Sequence, residues 1–308
     1  MMEDRCVAIV GAGSVGVAAA YAMFIRRIVP RILLVDRDAA RAEGHALDLM
    51  HGQALVGRVD VRAGTFADLA GARVVVIAAG KNQKRGESRL DLVRANAEVV
   101  REVIAEIDAR APDASILVAT NPVDVLTRLA LRWSRRPAAQ VIGTGTTLDS
   151  ARFRAAIAAR AGVSPRSVHA HVLGEHGDSQ VPIWSQAAVG GRRVELGPGE
   201  RAEIADATRT AARRIIERKG YTDLAIGVVI AHLVHAILSD ERAVVPVSVP
   251  LAGEYGIEDV TMSLPCILGR EGIAGRVTPS LDEVEVEALR RSAEVLRAAE
   301  RDAGLTVG

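Results

Sequence analysis

Short runs of β-branched and aliphatic residues alternate with longer stretches of helical periodicity in the first half of the chain. The short runs predict strands at residues 6–10, 32–35, 74–79, 116–118 and 141–142. The longer stretches predict helices at residues 18–24, 39–50, 92–109 and 123–133. Because the strands are apolar along nearly their whole length, both faces of their sheet must be covered. The pattern therefore predicts a parallel sheet with helices on both sides, joined by right-handed crossovers.

The second half has a different pattern and predicts an α+β unit. Helices are expected at residues 149–161, 200–218, 224–238 and about 281–301, and strands at 168–172, 244–249 and 260–263. Pro246, Pro250 and Pro265 bound the later strands, which suits edge or antiparallel strands better than a buried parallel sheet. We place a domain boundary near residues 143–145 without a linker, which gives domains 1–143 and 144–308.

The composition is that of a folded globular protein. The chain has 308 residues, a formal net charge of +1, 49% hydrophobic and 25% charged residues. These values argue against disorder and give no general attraction to nucleic acid or membranes. No apolar run reaches the roughly 18–20 residues that span a bilayer, and the first strand starts too early for a signal peptide. Cys6 and Cys266 stand in apolar contexts, so we expect buried thiols of a cytoplasmic protein and no metal site.

A glycine fingerprint follows the first predicted strand and opens the first helix. It reads Gly11-Ala12-Gly13-Ser14-Val15-Gly16, and Asp36 ends the second strand 20 residues after Gly16. Glycines in this context let the backbone approach a pyrophosphate, and the aspartate accepts hydrogen bonds from a ribose. The pattern predicts a Rossmann-type doubly wound sheet that binds NAD in preference to NADP, although the neighbouring Arg37 weakens that preference. The alternative is a tight turn with an N-capping aspartate.

A single histidine lies between glycines and acids after the strand at residues 168–172. The segment reads Val172-Leu173-Gly174-Glu175-His176-Gly177-Asp178-Ser179. Histidine is the side chain whose ordinary pKa lies nearest neutrality, so His176 is a candidate general acid or base. A lone histidine is more often packed or solvated than catalytic, and its role depends on the residues around it.

Three further segments carry a resemblance to a known family. They are Gly80-Lys81-Asn82-Gln83-Lys84-Arg85-Gly86-Glu87-Ser88-Arg89-Leu90-Asp91-Leu92, Thr120-Asn121-Pro122-Val123-Asp124, and Gly143-Thr144-Gly145-Thr146-Thr147-Leu148-Asp149-Ser150-Ala151-Arg152-Phe153-Arg154. With the two motifs above, the chain closely resembles the L-lactate/malate dehydrogenase family, in collinear order from Val7 to the C-terminal helix. The resemblance is closest to the bacterial NAD-dependent L-lactate members.

The resemblance implies a role for each matching residue. His176 is the acid/base, Asp149 orients it, Arg152 holds the substrate carboxylate, and Arg89 polarises the reacting carbonyl when its loop closes. Asn121 and Thr222 contact the substrate. The NAD site is expected to comprise Gly11, Gly13, Val15, Gly16, Asp36, Arg41, Gly80, Asn121 and Thr144. Taken singly, Asp149 and Arg152 could be a helix-surface ion pair and Arg89 a solvated side chain.

Substrate choice in this family is associated with the position that Gln83 occupies. A neutral glutamine leaves the second carboxylate of oxaloacetate unpaired, so Gln83 and the anionic Glu87 favour pyruvate. Arg85, where relatives usually carry proline, adds a nearby cation. A malate dehydrogenase or a broader 2-hydroxy acid dehydrogenase is therefore the alternative enzyme. The alternative from another functional class is a structural protein that binds a dinucleotide but whose active site does not catalyse a reaction.

Arg154 and His169 match positions that bind fructose 1,6-bisphosphate at a subunit interface in allosteric bacterial members. The resemblance thus implies an allosteric homotetramer, or a dimer, of a glycolytic enzyme. A surface arginine and an ordinary strand histidine are the alternative interpretation.

Overall fold

A computed structural model of the chain describes residues 5–81 and 89–305, and in it strands and helices alternate through the first half. The strands are β1 Cys6–Val10, β2 Arg31–Val35, β3 Asp60–Gly64, β4 Ala72–Ile77, β5 Ser115–Val118, β6 Val141–Gly143, β7 Val168–Leu173, β8 Val181–Val189, β9 Arg192–Arg193, β10 Ala243–Ala252, β11 Glu258–Gly269 and β12 Gly272–Arg276. The helices are α1 Ser14–Arg26, α2 Ala39–His51, α3 Gln53–Val56, α4 Arg89–Arg110, α5 Val123–Trp133, α6 Thr147–Ala161, α7 Pro198–Lys219, α8 Leu224–Leu238 and α9 Glu283–Asp302.

The central sheet of the described chain has nine strands in the order β12-β11-β10-β6-β5-β4-β1-β2-β3. From β6 to β3 every neighbouring pair is parallel. All five residues of β1 are buried, as expected for a strand that lies between helices on both faces. The order reverses between β1 and β4, so the carboxyl ends of these two strands flank the crevice where a doubly wound sheet binds its ligand. The predicted fold class is confirmed.

The last three strands of the central sheet come from the second half of the chain. β10, β11 and β12 pair antiparallel, and β10 meets β6 at Ser248 opposite Gly143. The prediction of edge or antiparallel strands is therefore confirmed in its antiparallel form: β10 lies between β6 and β11, and β12 is at the edge. Pro246 of β10 lies directly opposite Pro265 of β11, so the two positions that lack a backbone donor fall at the same point of the ladder. Because the sheet continues across residues 143 and 144, the domain boundary stays a prediction.

A smaller antiparallel sheet, β7-β8-β9, carries the rest of the second half. Phe153 of α6 and Trp184 of β8 meet edge to face at 4.7 Å, inside a second apolar cluster that includes Ile204 of α7. The sequence pattern missed β3, β9 and β12 because they carry glycine or exposed polar residues, and it missed β8 because Pro182, Ser185 and Gln186 interrupt its apolar run. Among the described helices, none combines the length and apolar character needed to cross a bilayer.

Candidate active site

The glycine fingerprint forms the turn between β1 and α1, and sterics dictate two of its residues. Gly11 has a φ of +107°, and its amide donates to the carbonyl of Val35 at 2.7 Å. A side chain at Gly16 would place its Cβ 1.9 Å from the carbonyl oxygen of Gly11, which no residue tolerates. Only glycine satisfies either position, and α1 consequently begins directly behind the turn.

The start of α1 fits a dinucleotide pyrophosphate. Gly13 is the N-cap residue, and in the described structure no side chain caps this helix end. A Cβ built on Gly13 would meet no heavy atom of the described residues within 4 Å. Amide donors at a helix N-terminus, beside open space, are the arrangement that binds phosphate groups. Val15, also predicted for the cofactor site, lies on the first turn of the same helix.

Asp36 stands at the end of β2 beside the fingerprint. Its carboxylate accepts a hydrogen bond from the amide of Ala12 at 2.7 Å and one from Arg41 at 2.8 Å. Burial alone would raise its pKa, but the amides of Asp38 and Ala12, together with Arg41, hold the pKa below its ordinary value. Asp36 is therefore an anion at neutral pH, fixed against the loop where a ribose would lie. The structure thus brings Asp36 and Arg41 together, and their binding of NAD stays a prediction.

Three predicted cofactor residues follow the ends of adjacent parallel strands. Gly80, Asn121 and Thr144 come after β4, β5 and β6, which places them along one edge of the sheet. Asn96, a buried residue of α4, connects the first two positions. It accepts from the amide of Lys81 at 2.7 Å and donates to the carbonyl of Asn121 at 2.9 Å. Sequence reasoning missed Asn96, because a single amide on a helix gives no local signal of burial.

His176 and Asp149 form the centre of the candidate site. Nδ1 of His176 lies 2.6 Å from Oδ2 of Asp149, which sits in the first turn of α6 and is almost fully buried. Arg152, one helical turn later, donates to the other carboxylate oxygen at 2.9 Å. The Asp149–Arg152 ion pair, which was the alternative interpretation of these two residues, is therefore present. It lies against His176 and not on an open helix surface.

The loop that carries His176 is fixed by three successive main-chain amides. Gly174 exchanges backbone hydrogen bonds with Ser263 of β11, at 3.1 and 2.9 Å. The amide of Glu175 donates to Ser292 of α9 at 2.9 Å, and that of His176 donates to Asp124 of α5 at 2.7 Å. Elements from both halves of the chain thus determine where the imidazole stands.

Electrostatic interactions keep His176 positively charged and Asp149 negatively charged. Burial works against a charged imidazole, but the charge and hydrogen bond of Asp149 outweigh it and raise the pKa of His176 to about 8. Burial would also raise the pKa of Asp149, yet His176 and Arg152 hold it below its ordinary value. At neutral pH the site therefore holds a protonated histidine beside a carboxylate, ready to give a proton.

Arg89 and Thr222 are the other predicted substrate-site residues within the described part of the chain. Arg89 is the first residue of α4, while Gln83, Arg85 and Glu87 fall outside the described residues. Thr222 is half-buried in the short connection between α7 and α8.

The two predicted allosteric residues lie along β7. Arg154 donates through Nε to the carbonyl of Ala170 at 2.8 Å, and its Nη2 lies 3.3 Å from Nδ1 of His171. His169, on the same strand, is exposed.

The fold and site define an oxidoreductase class: a doubly wound sheet with a dinucleotide turn, joined to a histidine that is paired with a buried aspartate. Comparisons with known proteins identify the family. The NAD binding domain of lactate/malate dehydrogenases matches residues 5–143, and their alpha/beta C-terminal domain matches residues 146–304. The chain belongs to the lactate/malate dehydrogenase family. This confirms the predicted family and NAD as the cofactor.

Individual relatives match over nearly the whole chain. An L-lactate dehydrogenase of Salinibacter ruber is 51% identical over 317 residues and covers 100% of both chains. One of Thermus aquaticus is 47% identical and covers 95% of this chain and 97% of its own. The crystal structure of minor L-lactate dehydrogenase from Enterococcus mundtii, in a ligand-bound form, superposes with a TM-score of 0.95 at 42% identity, covering 97% of this chain and 98% of that one.

Proposed function

We propose that this chain interconverts L-lactate and pyruvate with NAD, and that His176 is the acid/base of the reaction. The observation that carries the proposal is the 2.6 Å contact between His176 and the buried Asp149, with Arg152 bonded to the same carboxylate. The lactate dehydrogenase relatives support lactate and pyruvate as the substrate pair. NAD, when bound, supplies the redox chemistry by accepting or giving a hydride.

The geometry gives each described side chain a chemical task. Because Asp149 holds Nδ1, the other ring nitrogen of His176 is the one that exchanges a proton with substrate. In lactate oxidation it takes the hydroxyl proton as the hydride leaves C2, and in pyruvate reduction it returns that proton to the ketone oxygen. Asp149 stabilises the imidazolium in both directions. Arg152 presents a planar fork to the substrate carboxylate.

Gln83 and Arg89 complete the proposal as the specificity and carbonyl-polarising residues. Their placement rests on the resemblance alone, because the side chains lie outside the described part of the structure. A neutral Gln83 favours a monocarboxylate, so pyruvate is the proposed substrate and oxaloacetate the alternative.

An NADH-coupled panel of 2-keto acids tests the proposal. Turnover should be fastest with pyruvate, slower with oxaloacetate and slowest with 2-ketoisocaproate. His176→Asn should abolish most turnover, since general acid–base catalysis contributes about 10²–10⁴-fold, while NADH affinity stays near the wild-type value. Equal losses of turnover and NADH affinity would show that His176 is structural. Preference for oxaloacetate would make the chain a malate dehydrogenase, and no turnover of any 2-keto acid would favour an idle structural protein.

We also propose self-association into a homodimer or homotetramer. Large apolar side chains stand exposed on four helices of the first and second halves: Tyr21 of α1, Leu47 of α2, Leu55 of α3, and Leu224 and Val228 of α8. Because α1 packs against α8, three of these side chains lie on neighbouring helices, and an apolar surface shared by adjoining helices suits a subunit interface. Sedimentation equilibrium should give a mass at least twice that of the 32.5 kDa chain, and a purely monomeric profile would contradict this proposal.

Fructose 1,6-bisphosphate is the proposed allosteric ligand of Arg154 and His169. His169 and His171 lie two residues apart on β7 and so share one face of that strand, next to the guanidinium of Arg154. Burial and the neighbouring Arg154 charge lower the pKa of His171 to about 4, so Arg154 supplies the positive charge here. An arginine repeated across a two-fold axis suits a ligand with two phosphates. The bisphosphate should lower the KM for pyruvate, and an unchanged saturation curve together with an unchanged sedimentation profile would refute this role.

A further inference from the structure

Asp124 has a buried carboxylate that takes no part in the reaction proposed above. It is the second residue of α5, two residues after Pro122 of the cis peptide Asn121-Pro122, and is 2% exposed. One carboxylate oxygen accepts from the main-chain amide of His176 at 2.7 Å, and the other accepts from the hydroxyl of Ser248 on β10. A single side chain therefore ties together α5, β10 and the loop that carries the histidine.

We propose that Asp124 is a positioning residue for this reaction, which fixes the main chain of His176 while Asp149 fixes its ring, and which adds a second negative charge near the imidazole. The proposal rests on the proposed role of His176 as acid/base. A hydrogen bond from a neutral amide to a carboxylate is stronger than one to a neutral acceptor, and inside a protein little solvent competes for it. An uncharged acceptor could hold the loop, but it could not supply the charge.

The surroundings of Asp124 make its charge conditional on pH. Its two hydrogen-bond donors among the described residues are neutral groups, an amide and a hydroxyl. The charged groups that face it are His176 and Glu175 from the histidine loop; β10 contributes the neutral Ser248, and Arg128 on α5 pairs with Glu300. Burial outweighs the donors and raises the pKa of Asp124 to about 6.

The two carboxylates beside His176 consequently differ in their protonation. Asp149 has two cationic partners, which keep its pKa below the ordinary value, whereas Asp124 has burial as its dominant influence. Asp149 thus stays charged throughout the neutral range, while Asp124 loses its charge as the pH falls through about 6. The charge of Asp124 also contributes to the raised pKa of His176, although less than that of Asp149.

The test is the pKa of His176, read directly by NMR from the ring Cε1–H resonance of histidine-labelled protein. The chain has seven histidines, so His176→Gln assigns the resonance. In Asp124→Asn the side-chain oxygen can still accept from the His176 amide, but the charge is gone. The pKa of His176 should fall by roughly half to one pH unit, because an opposite charge nearby has been removed. The alkaline limb of kcat for pyruvate reduction should move down equally, with the NADH Kd unchanged.

Ser248→Ala is the matched control. It deletes a partner of Asp124 but leaves the charge in place above pH 7, so the alkaline limb should stay where it is. Because the Ser248 hydrogen bond lowers the pKa of Asp124, its loss should raise that pKa above about 6. The His176 resonance should show a second inflection near pH 6 in the wild type, and this inflection should move upward in Ser248→Ala. That measurement holds even if Asp124→Asn does not fold.

The outcomes separate this inference from the proposed function. An unmoved His176 pKa in folded Asp124→Asn, or a wild-type titration without an inflection near pH 6, would overturn the role of Asp124. Neither result depends on turnover. Full activity of His176→Gln would instead remove the acid/base assignment and, with it, the reaction that Asp124 is proposed to serve.

Discussion

Replacing Asp149 with asparagine tests the electrostatic basis of the candidate site most directly. Asp149 is the main reason that the pKa of His176 is about 8, about 1.5 pH units above the ordinary value of 6.5, which corresponds to about 2 kcal/mol in favour of the imidazolium. His176 is one-quarter exposed and Asp149 is nearly inaccessible, so solvent screens the pair little. Without the carboxylate, burial acts with little opposition, and the pKa of His176 should fall to 6.5 or lower.

The expected kinetic effect follows from the protonated fraction of His176. At pH 7.5 about three-quarters of the wild type carries the proton for pyruvate reduction, against about one-tenth of Asp149→Asn, a loss of roughly eightfold. The variant also loses the group that orients the ring, and comparable replacements in histidine–aspartate pairs cost up to about 10⁴-fold. The overall loss therefore combines two causes, but only the electrostatic one moves the pH profile.

The assay is kcat/KM for pyruvate between pH 5.5 and 9.5, followed through the absorbance of NADH. The alkaline limb should lie near pH 8 in the wild type and about 1.5 pH units lower in Asp149→Asn. Asp178→Asn is the matched control, because it removes an exposed carboxylate from the same loop. Its alkaline limb should coincide with that of the wild type. A limb that stays near pH 8 in Asp149→Asn would refute the assignment of the pair.

Three further changes probe the rest of the site. Asp36→Ser should raise kcat/KM with NADPH relative to NADH, because the repulsion of a 2′-phosphate is removed; a wild type that already uses both equally would contradict the role of Asp36. Gln83→Arg should shift preference from pyruvate toward oxaloacetate in the keto-acid panel, and an unchanged ratio would count against this position as the specificity residue. Gly16→Ala should lose NADH binding, measured by fluorescence, or fail to fold, since its Cβ would lie 1.9 Å from the Gly11 carbonyl oxygen; normal affinity would show that the turn can rearrange.

Local sequence patterns predicted the structural features that are set by residues close together in the chain. The alternation of apolar runs and helical periodicity predicted the parallel sheet, and the fingerprint before α1 predicted the dinucleotide turn, because both signals lie within one βαβ unit. The pairing of His176 with Asp149, 27 residues earlier, was accessible through the resemblance and not through spacing. The structure supplies the contact itself.

The remainder of the site depends on contacts between distant segments. Asp124 reaches His176 across 52 residues and Ser248 across 124, and Asn96 joins two strand ends from a helix face. A buried polar side chain of this kind looks in sequence like any surface residue, since its partners are set by packing. The prolines of β10 likewise left edge and antiparallel positions open, because its place between β6 and β11 depends on pairing between distant segments.

Arg152 leads to a final prediction, because its charge acts on His176 before substrate arrives. Its guanidinium is only 15% exposed and opposes the raised pKa of His176. A substrate carboxylate held by Arg152 would offset that charge and raise the pKa of His176 above about 8. Binding of a non-reducible pyruvate analogue to the NADH complex should therefore take up protons, roughly half a proton at pH 8.5 if the pKa rises by about one pH unit. Calorimetry in buffers of different ionisation enthalpy measures this uptake, and Arg152→Lys should bind more weakly because it lacks the planar fork. Identical enthalpies in all buffers would mean that the carboxylate does not bind beside the histidine.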